Sequence, residues 1–326
     1  MSETTTAWPE GRVVALAGGV GGAKLAHGLL LAGLDDRLDV VVNTADDFQL
    51  YGLHISPDLD TVMYTLAGIA NPATGWGILG DTAATLGMIG RYGRSTWFWL
   101  GDRDLATHIL RTERLRAGTR LTEVTAELAT ALGVTARILP MCDEPVATLV
   151  ETPAGLLEFQ DYFVRRRQQD TVLGIRFEGV EHARMTQEVE RALAEATAII
   201  LCPSNPLVSI GPILAVPGFR ERLRAAEVPV VAVSPIVGGQ ALKGPADRML
   251  ASLGHEVSPL GVARLYQDFL DGILIDQLDD ELAPAIAEMG IAVQVADTVM
   301  RTDDDRRRVA RAVLDLARGL VEARRR

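Results

Sequence analysis

The chain has 326 residues, 48% of them hydrophobic and 23% charged, a composition that suits a folded protein with a sizeable core and excludes an intrinsically disordered one. Its 32 Lys and Arg against 43 Asp and Glu leave a formal net charge of −11, which argues against a nucleic-acid surface but leaves room for a local pocket holding one nucleotide. Cys142 and Cys202 form neither a CxxC metal pair nor a disulfide framework, the opening MSETTTAWPEGR lacks the features of a signal peptide, and no apolar run approaches ~18 residues, so a cytoplasmic protein without membrane contact is expected.

The first elements read as a βαβ unit: an apolar strand over 13–17, a helix over 23–32 and a second strand over 38–43. Between strand and helix runs AGGVGGAK, where Gly19, Gly21 and Gly22 let backbone N–H groups approach a phosphate at the helix start, with Lys24 behind them. The motif is not a P-loop and meets the dinucleotide G-x-G-x-x-G spacing only in part, so a ligand-free turn is the competing reading. The second strand runs into VVNTADDF and then SPDLDT, which bring Asp46, Asp47, Asp58 and Asp60 close behind a strand end. One acid there would suit a dinucleotide ribose; two clusters suit a divalent ion that bridges phosphates, and any single Asp also serves as a turn or helix cap.

Further on, WFWLGDRDLATHILR offers Asp102 as a helix cap and sets Asp104 and His108 one turn apart on one face near Arg111, a pattern for a proton relay or for an exposed ion pair. The aromatic residues here and in EFQDYFV (158–164) are of the kind that fill cores. Between 105 and 190 the apolar runs shorten and helix predominates, which predicts an inserted, more helical accessory lobe between two core segments, 1–104 and 191–326. Strands then recur over 198–201, 228–233, 272–275 and 291–295 with helices between them, the alternation of a doubly wound, mostly parallel Rossmann-like α/β sheet. Two strand-end loops, LCPSNPLVSIGPILAVPG with Ser204, Asn205, Ser209 and Gly211, and VSPIVGGQALKGPAD with Lys243, have the composition to embrace a diphosphate or merely to turn the chain. The last segment, 303–324, spaces Val309, Val313, Leu316 and Leu320 as a terminal helix that docks on the sheet.

The strings GGVGGAK, NTADDF, SPDLDTVMYTLAGI, WGILGDT, LGDRDLATHI, FQDYFV, PSNPLVSIGPIL and SPIVGG follow one another in the order seen in the 2-phospho-L-lactate and phosphoenolpyruvate transferase family of coenzyme F-420 biosynthesis, which the chain resembles over nearly its whole length. The resemblance implies that the ribityl hydroxyl of the deazaflavin Fo takes a phospholactyl, phosphoenolpyruvyl or phosphoglyceryl group from a guanosine-diphosphate-linked donor, with Mg2+ as cofactor and GMP released. It implies Asp47, Asp60, Asp104 and His108 as catalytic residues and Asp46, Asp47, Asp58 and Asp60 as metal ligands, with the base among them open. Gly19, Gly21, Gly22, Lys24, Asp102 and Arg103 would lie along the diphosphate and reaction centre, and Ser204, Asn205, Ser209 and Gly211 at the guanosine end. A homodimer is expected by the same resemblance. Leu79, Gly80 and Cys202 depart from residues common in the family. A nucleotide-sugar-binding regulator of the gluconeogenesis-factor type and an NAD(P) oxidoreductase are the rival readings; the sequence does not choose among the three donor acids, which differ by a hydrogen pair or a hydroxyl.

Overall fold

Alternate side chains of each apolar run point to opposite faces of a sheet, and both faces here are covered, so the runs need no polar positions. The computed structural model describes Trp8 and residues 11–325; most of the N-terminal stretch expected to carry no targeting signal lies outside the described residues. In chain order the strands are β1 (Arg12–Ala17), β2 (Leu38–Val42), β3 (Phe48–Leu50), β4 (Leu53–Ile55), β5 (Arg137–Pro140), β6 (Ala147–Thr152) and β7 (Gly155–Glu158). They continue as β8 (Gly174–Glu178), β9 (Ala196–Leu201), β10 (Val230–Val233), β11 (Ile236–Val237), β12 (Gln240–Ala241), β13 (Gly272–Asp276) and β14 (Ala292–Ala296). Seven of them form one parallel sheet in the order β14-β13-β10-β9-β1-β2-β5.

The first half of the chain builds outward from β1 in one direction and the second half builds from β9 in the other, which is the expected doubly wound plan. Five helices of the first half matter for the site: α1 (Gly19–Leu29), α2 (Pro57–Leu66), α3 (Ala84–Arg91), α4 (Asp104–Arg116) and α5 (Leu121–Ala131). On one face Val13, Ala15 and Ala17 pack with Leu25 and Leu29 of α1, Val62 of α2 and Val309 and Val313 of the terminal helix Asp303–Arg324. Val14 and Leu16 point the other way, into a core with Val189, Ile210 and Phe219. Because strand order reverses between β1 and β9, the helices that follow these two strands, α1 and Ile210–Ala215, pack on opposite faces, and a crevice lies at the strands' carboxyl ends.

The segment 105–190 does not form the separate lobe expected from its short apolar runs. It supplies β5, which pairs with β2 as the edge of the main sheet, and α5, whose Leu121 and Ala129 join the main core. What stands outside the sheet is narrower: the antiparallel strands β7-β6-β8, over a small cluster with Phe159, Tyr162 and Val172 that packs on Val208 and Met249 of the core segment. The run RILP at β5 is too short to be distinguished from the helical stretch before it.

The opposite end of the sheet is laced by charge. Asp39 of β2 is fully buried and accepts two hydrogen bonds from Arg12 of β1, at 2.8 and 2.5 Å, and two from Arg137 of β5, both at 2.5 Å. Burial by itself would raise the Asp39 carboxyl, and the two guanidiniums outweigh it and hold the group below its ordinary range. A depressed carboxylate contributes stability above its unfolded value and loses it as pH falls through the folded one. Asp39→Asn, which leaves two arginines without a counter-charge, is expected to lower unfolding free energy by about 2 kcal/mol at pH 7, with the difference from wild type shrinking as pH falls below ~4, read from urea-denaturation midpoints.

Candidate active site

A cleft of about 750 Å³ opens at the carboxyl ends of β1 and β9 and is lined by the glycine loop, the acids behind β2 and the loops after β9 and β10. Of the residues singled out in the sequence, Gly19, Gly21, Lys24, Asp46, Asp58, Asp60, Asp104, His108, Ser204, Asn205 and Ser209 line it, while Gly22, Asp47, Asp102, Arg103 and Gly211 do not.

The glycines lie inside α1 rather than ahead of it, since the helix begins at Gly19. Gly19 has φ +61°, a left-handed conformation that an L side chain resists, and its N–H donates to Asp58 Oδ1 at 2.8 Å. Gly22 serves packing: a Cβ there would come within 2.6 Å of Ser204 Oγ. Ser204 is likewise a tie between loops, its hydroxyl donating to the Gly18 carbonyl at 2.8 Å and accepting from the Gly18 N–H at 3.1 Å. Asn205 folds its own loop by accepting from Leu207 N at 2.9 Å, and Gly211 rests against the Phe177 ring. The first-turn amides beyond Gly19 have no carbonyl within the helix to reach, and Val20 and Gly21 face the cleft, so an anion has donors here.

Beside this helix start two carboxylates meet. Asp58 accepts from Gly19 N and, at 3.0 Å, from Asn43 Nδ2, and burial raises its pKa to about 6 despite both bonds. Asp46 is also buried; burial and then repulsion from Asp58 push it well above the ordinary range, and its Oδ1 has no hydrogen-bond partner. Burial and the charge of Asp58 favour neutralisation of Asp46 by a proton or a cation, and a hard divalent ion suits carboxylate oxygens of this kind.

Asp60, two residues along α2 from Asp58, points elsewhere because positions i and i+2 of a helix face roughly opposite ways. Arg111 of α4, 1% exposed, engages both of its carboxylate oxygens. His108, also 1% exposed, sits between Asp60 Oδ2 at 3.6 Å and Asp104 Oδ1 at 3.3 Å with neither ring nitrogen hydrogen-bonded, and Tyr64 donates to Asp104 at 2.7 Å. Asp104, His108 and Arg111 therefore share one face of α4 and are buried, not an exposed surface pair. The ligand atoms of Asp60, Asp104 and His108 lie within 4.8 Å of one another, yet both Asp60 oxygens are committed to Arg111, so this is an ion-pair network facing the cleft. Asp47 turns away from the cleft and accepts from His54 Nε2 at 2.9 Å and Ser56 Oγ at 2.6 Å.

Asp102 and Asp81 hold two helix starts by crossing over. Asp102 accepts from Ala84 N and Thr85 N, both at 2.9 Å, and so caps α3; Asp81 accepts from Arg103 N at 2.9 Å and Asp104 N at 3.0 Å, and so caps α4. Asp102 is thus a cap, as its sequence position suggested, though of the neighbouring helix, and the Arg103 side chain donates to the Leu79 carbonyl at 3.4 Å. Asp81, Tyr64 and Asn43 were not singled out by sequence; Tyr64 lies four residues beyond Asp60 in α2, the one spacing that marks it. Aromatic rings wall the cleft on two sides, Trp76 edge-on to Trp99 and Phe159 stacked on Phe163 at 5.3 Å between centroids. Both thiols are buried, as packing residues are, with burial raising Cys142 to about 12.

Residues 13–314 match the family model described as 2-phospho-L-lactate transferase CofD. The chain is 41% identical over 304 residues to a 2-phospho-L-lactate transferase of Methanosarcina acetivorans, covering 93% of this chain and 98% of that one. It is 43% identical over 313 residues to a phosphoenolpyruvate transferase of Kitasatospora aureofaciens, covering 94% and 98%. A solved Bacillus halodurans protein of the UPF0052 family superposes with a TM-score of 0.59 at 14% identity, over 94% of this chain and 99% of that one, a likeness of fold.

Two outcomes follow from the geometry. Asp46→Asn, which imitates the protonated carboxyl, is expected to raise the melting temperature at pH 8 and to change it little at about pH 3, because an acid whose folded pKa is raised loses stability as pH climbs from its unfolded value toward its folded one. Asp81→Ala removes the cap of α4 and is expected to cost about 1 kcal/mol in thermal or urea unfolding.

Proposed function

The chain belongs to the 2-phospho-L-lactate transferase CofD family, an enzyme of F-420-type cofactor biosynthesis, and on that premise we propose that it moves a phospholactyl, phosphoenolpyruvyl or phosphoglyceryl group from a guanosine-diphosphate-linked donor to the ribityl hydroxyl of Fo, releasing GMP. The observation that carries the reading is the buried Asp46–Asp58 pair set against the start of α1: an acidic pole with an orphaned oxygen beside an anion-binding helix end. Transfer at phosphorus asks chiefly for positioning and charge neutralisation, and the cleft offers both.

In this reading Asp46 and Asp58 hold Mg2+, which fits the raised proton affinity of both groups and the unpartnered Asp46 Oδ1; when bound, the ion neutralises charge on the diphosphate. Val20 and Gly21 turn first-turn amides toward the phosphates. Ser204 ties the loop after β9 to Gly18, so Asn205 and Ser209 meet the guanosine from a rigid backbone. The flat deazaflavin fits between the aromatic walls, which would bring its ribityl hydroxyl toward the Asp60–His108–Asp104 network. His108, with both ring nitrogens unpartnered, is the group suited to take the hydroxyl proton, and Asp104 and Arg111-paired Asp60 orient its ring. Asp47 would act indirectly, by fixing His54 and Ser56 ahead of α2. Apolar side chains left exposed around Met88, Tyr92, Ile109 and Leu110 support a homodimer. No helix among the described residues is long and apolar enough to cross a membrane, and a cytoplasmic place agrees with charged small-molecule substrates.

The test is GMP release and the mass of the deazaflavin product when the protein is mixed with Mg2+, Fo and each of the three guanylylated donors in turn. Product from one donor is expected; tight nucleotide binding without product from any would turn the reading toward a regulator. Asp58→Asn should lower turnover at least about a hundredfold while the fold, followed by circular dichroism, is retained.

A further inference from the structure

Among the described residues, two ammonium groups at the cleft face no acid. Lys24 of α1 is half-buried and donates to the Met300 carbonyl at 2.9 Å, and the charges that act on it, those of Arg306 and Lys243, are positive like its own. Lys243 is exposed on the loop that follows the β11–β12 hairpin and donates to the Thr74 carbonyl across the mouth of the cleft. Among the described residues neither forms an ion pair, and burial lowers the proton affinity of both. A cation satisfied by a carbonyl alone gains less than one that faces a negative charge, and here two such cations lie within electrostatic reach of each other.

Their position is as informative as their charge. Gly75 has φ +79°, and a Cβ on it would come within 2.6 Å of the Val20 side chain and 2.9 Å of Lys243 Nζ, so the Lys243 ammonium hangs over the first turn of α1. Lys24 is one helical turn further along the same helix and also lines the cleft. Gly244, which follows Lys243 in that loop, has φ +81°, a backbone conformation that glycine takes without strain. Lys243 can therefore leave the Thr74 carbonyl for a ligand without dismantling an ion pair.

On the reading given above, the donor presents two kinds of anion: phosphates, for which the α1 amides and the Asp46–Asp58 pair are suited, and the carboxylate of the transferred phospho-acid, which nothing so far receives. We propose that Lys24 and Lys243 form the subsite for that carboxylate, Lys243 exchanging the Thr74 carbonyl for it when donor binds. The subsite recognises what a lactyl, an enolpyruvyl and a glyceryl group share, and so selects phospho-acids as a class over phosphate esters that lack a carboxylate.

The inference rests on the proposed function, and one binding experiment separates their failures. Affinities of wild type, Lys24→Met, Lys243→Met and Lys243→Arg are measured by calorimetry for three probes: GDP, the guanylylated phosphoenolpyruvate donor and its carboxamide, which keeps the shape and loses the charge. Wild type is expected to prefer carboxylate to carboxamide by about tenfold or more, each Met variant to lose most of that preference with GDP affinity within about twofold of wild type, and Lys243→Arg to retain it. Equal weakening of GDP and donor would assign the lysines to the phosphates and overturn the carboxylate subsite. Unchanged discrimination in both Met variants, or none in wild type, would also overturn it. Failure of wild type to bind GDP would instead overturn the functional reading and this inference with it.

Discussion

The chemistry of this protein depends on how closely two loops approach, one leaving β1 and one leaving β9. Backbone touches backbone there: a Cβ on Gly21 would overlap the Pro203 carbonyl, and one on Gly18 would stand 2.7 Å from both Asp58 and Ser209. The Gly18–Ser204 hydrogen bonds then lock the contact in both directions. With no side chains between them, the loops bring the α1 amides, the acids of the β2 loop and the turn after β9 onto the rim of a single crevice. A bulkier residue at Gly21 or Gly22 would separate the halves of the site before it altered any ligand contact.

Within that crevice charge is sorted rather than spread. Asp46 and Asp58 gather on one side of the α1 start, where burial and mutual repulsion favour the uptake of a proton or a cation. Lys24 meets the Met300 carbonyl, and Lys243 lies near Val20 on the Thr74 carbonyl. The Asp60–Arg111 pair stands behind and, with Asp104, flanks His108. A polyanionic donor laid across this arrangement meets a cation-binding pole and a cationic pole in turn, and a low-dielectric cleft strengthens both interactions.

Much of this was legible from residue order, and the misses have identifiable causes. Parallel strands read clearly because burial on both faces makes them uniformly apolar, as in the fully buried β2 and β10. The edge strand β5 did not, since four residues ending in a proline carry no period. The acids were visible as a group behind β2, but their division into an Asp46–Asp58 pair and a separate Asp60–Arg111 pair is a matter of helical phase, fixed only once α2 is known to start at Pro57. Asp102 bears the mark of a cap, and which helix it caps is decided by the crossing of two loops, a tertiary fact. The partners of Lys24 and Lys243 were hidden for the same reason: each lies more than a hundred residues away along the chain.

The Arg12–Asp39–Arg137 lacing lies at the end of the sheet away from the cleft and binds three neighbouring strands through one carboxylate. Its consequence is evolutionary. A scaffold fastened at its floor can have the loops of its roof rewritten without losing the register of its strands, so substrate preference can drift by exchange of loop residues while the barrier to unfolding stays nearly constant. Variation that retunes such an enzyme should therefore accumulate around the mouth, and the three charged floor residues should change together or not at all.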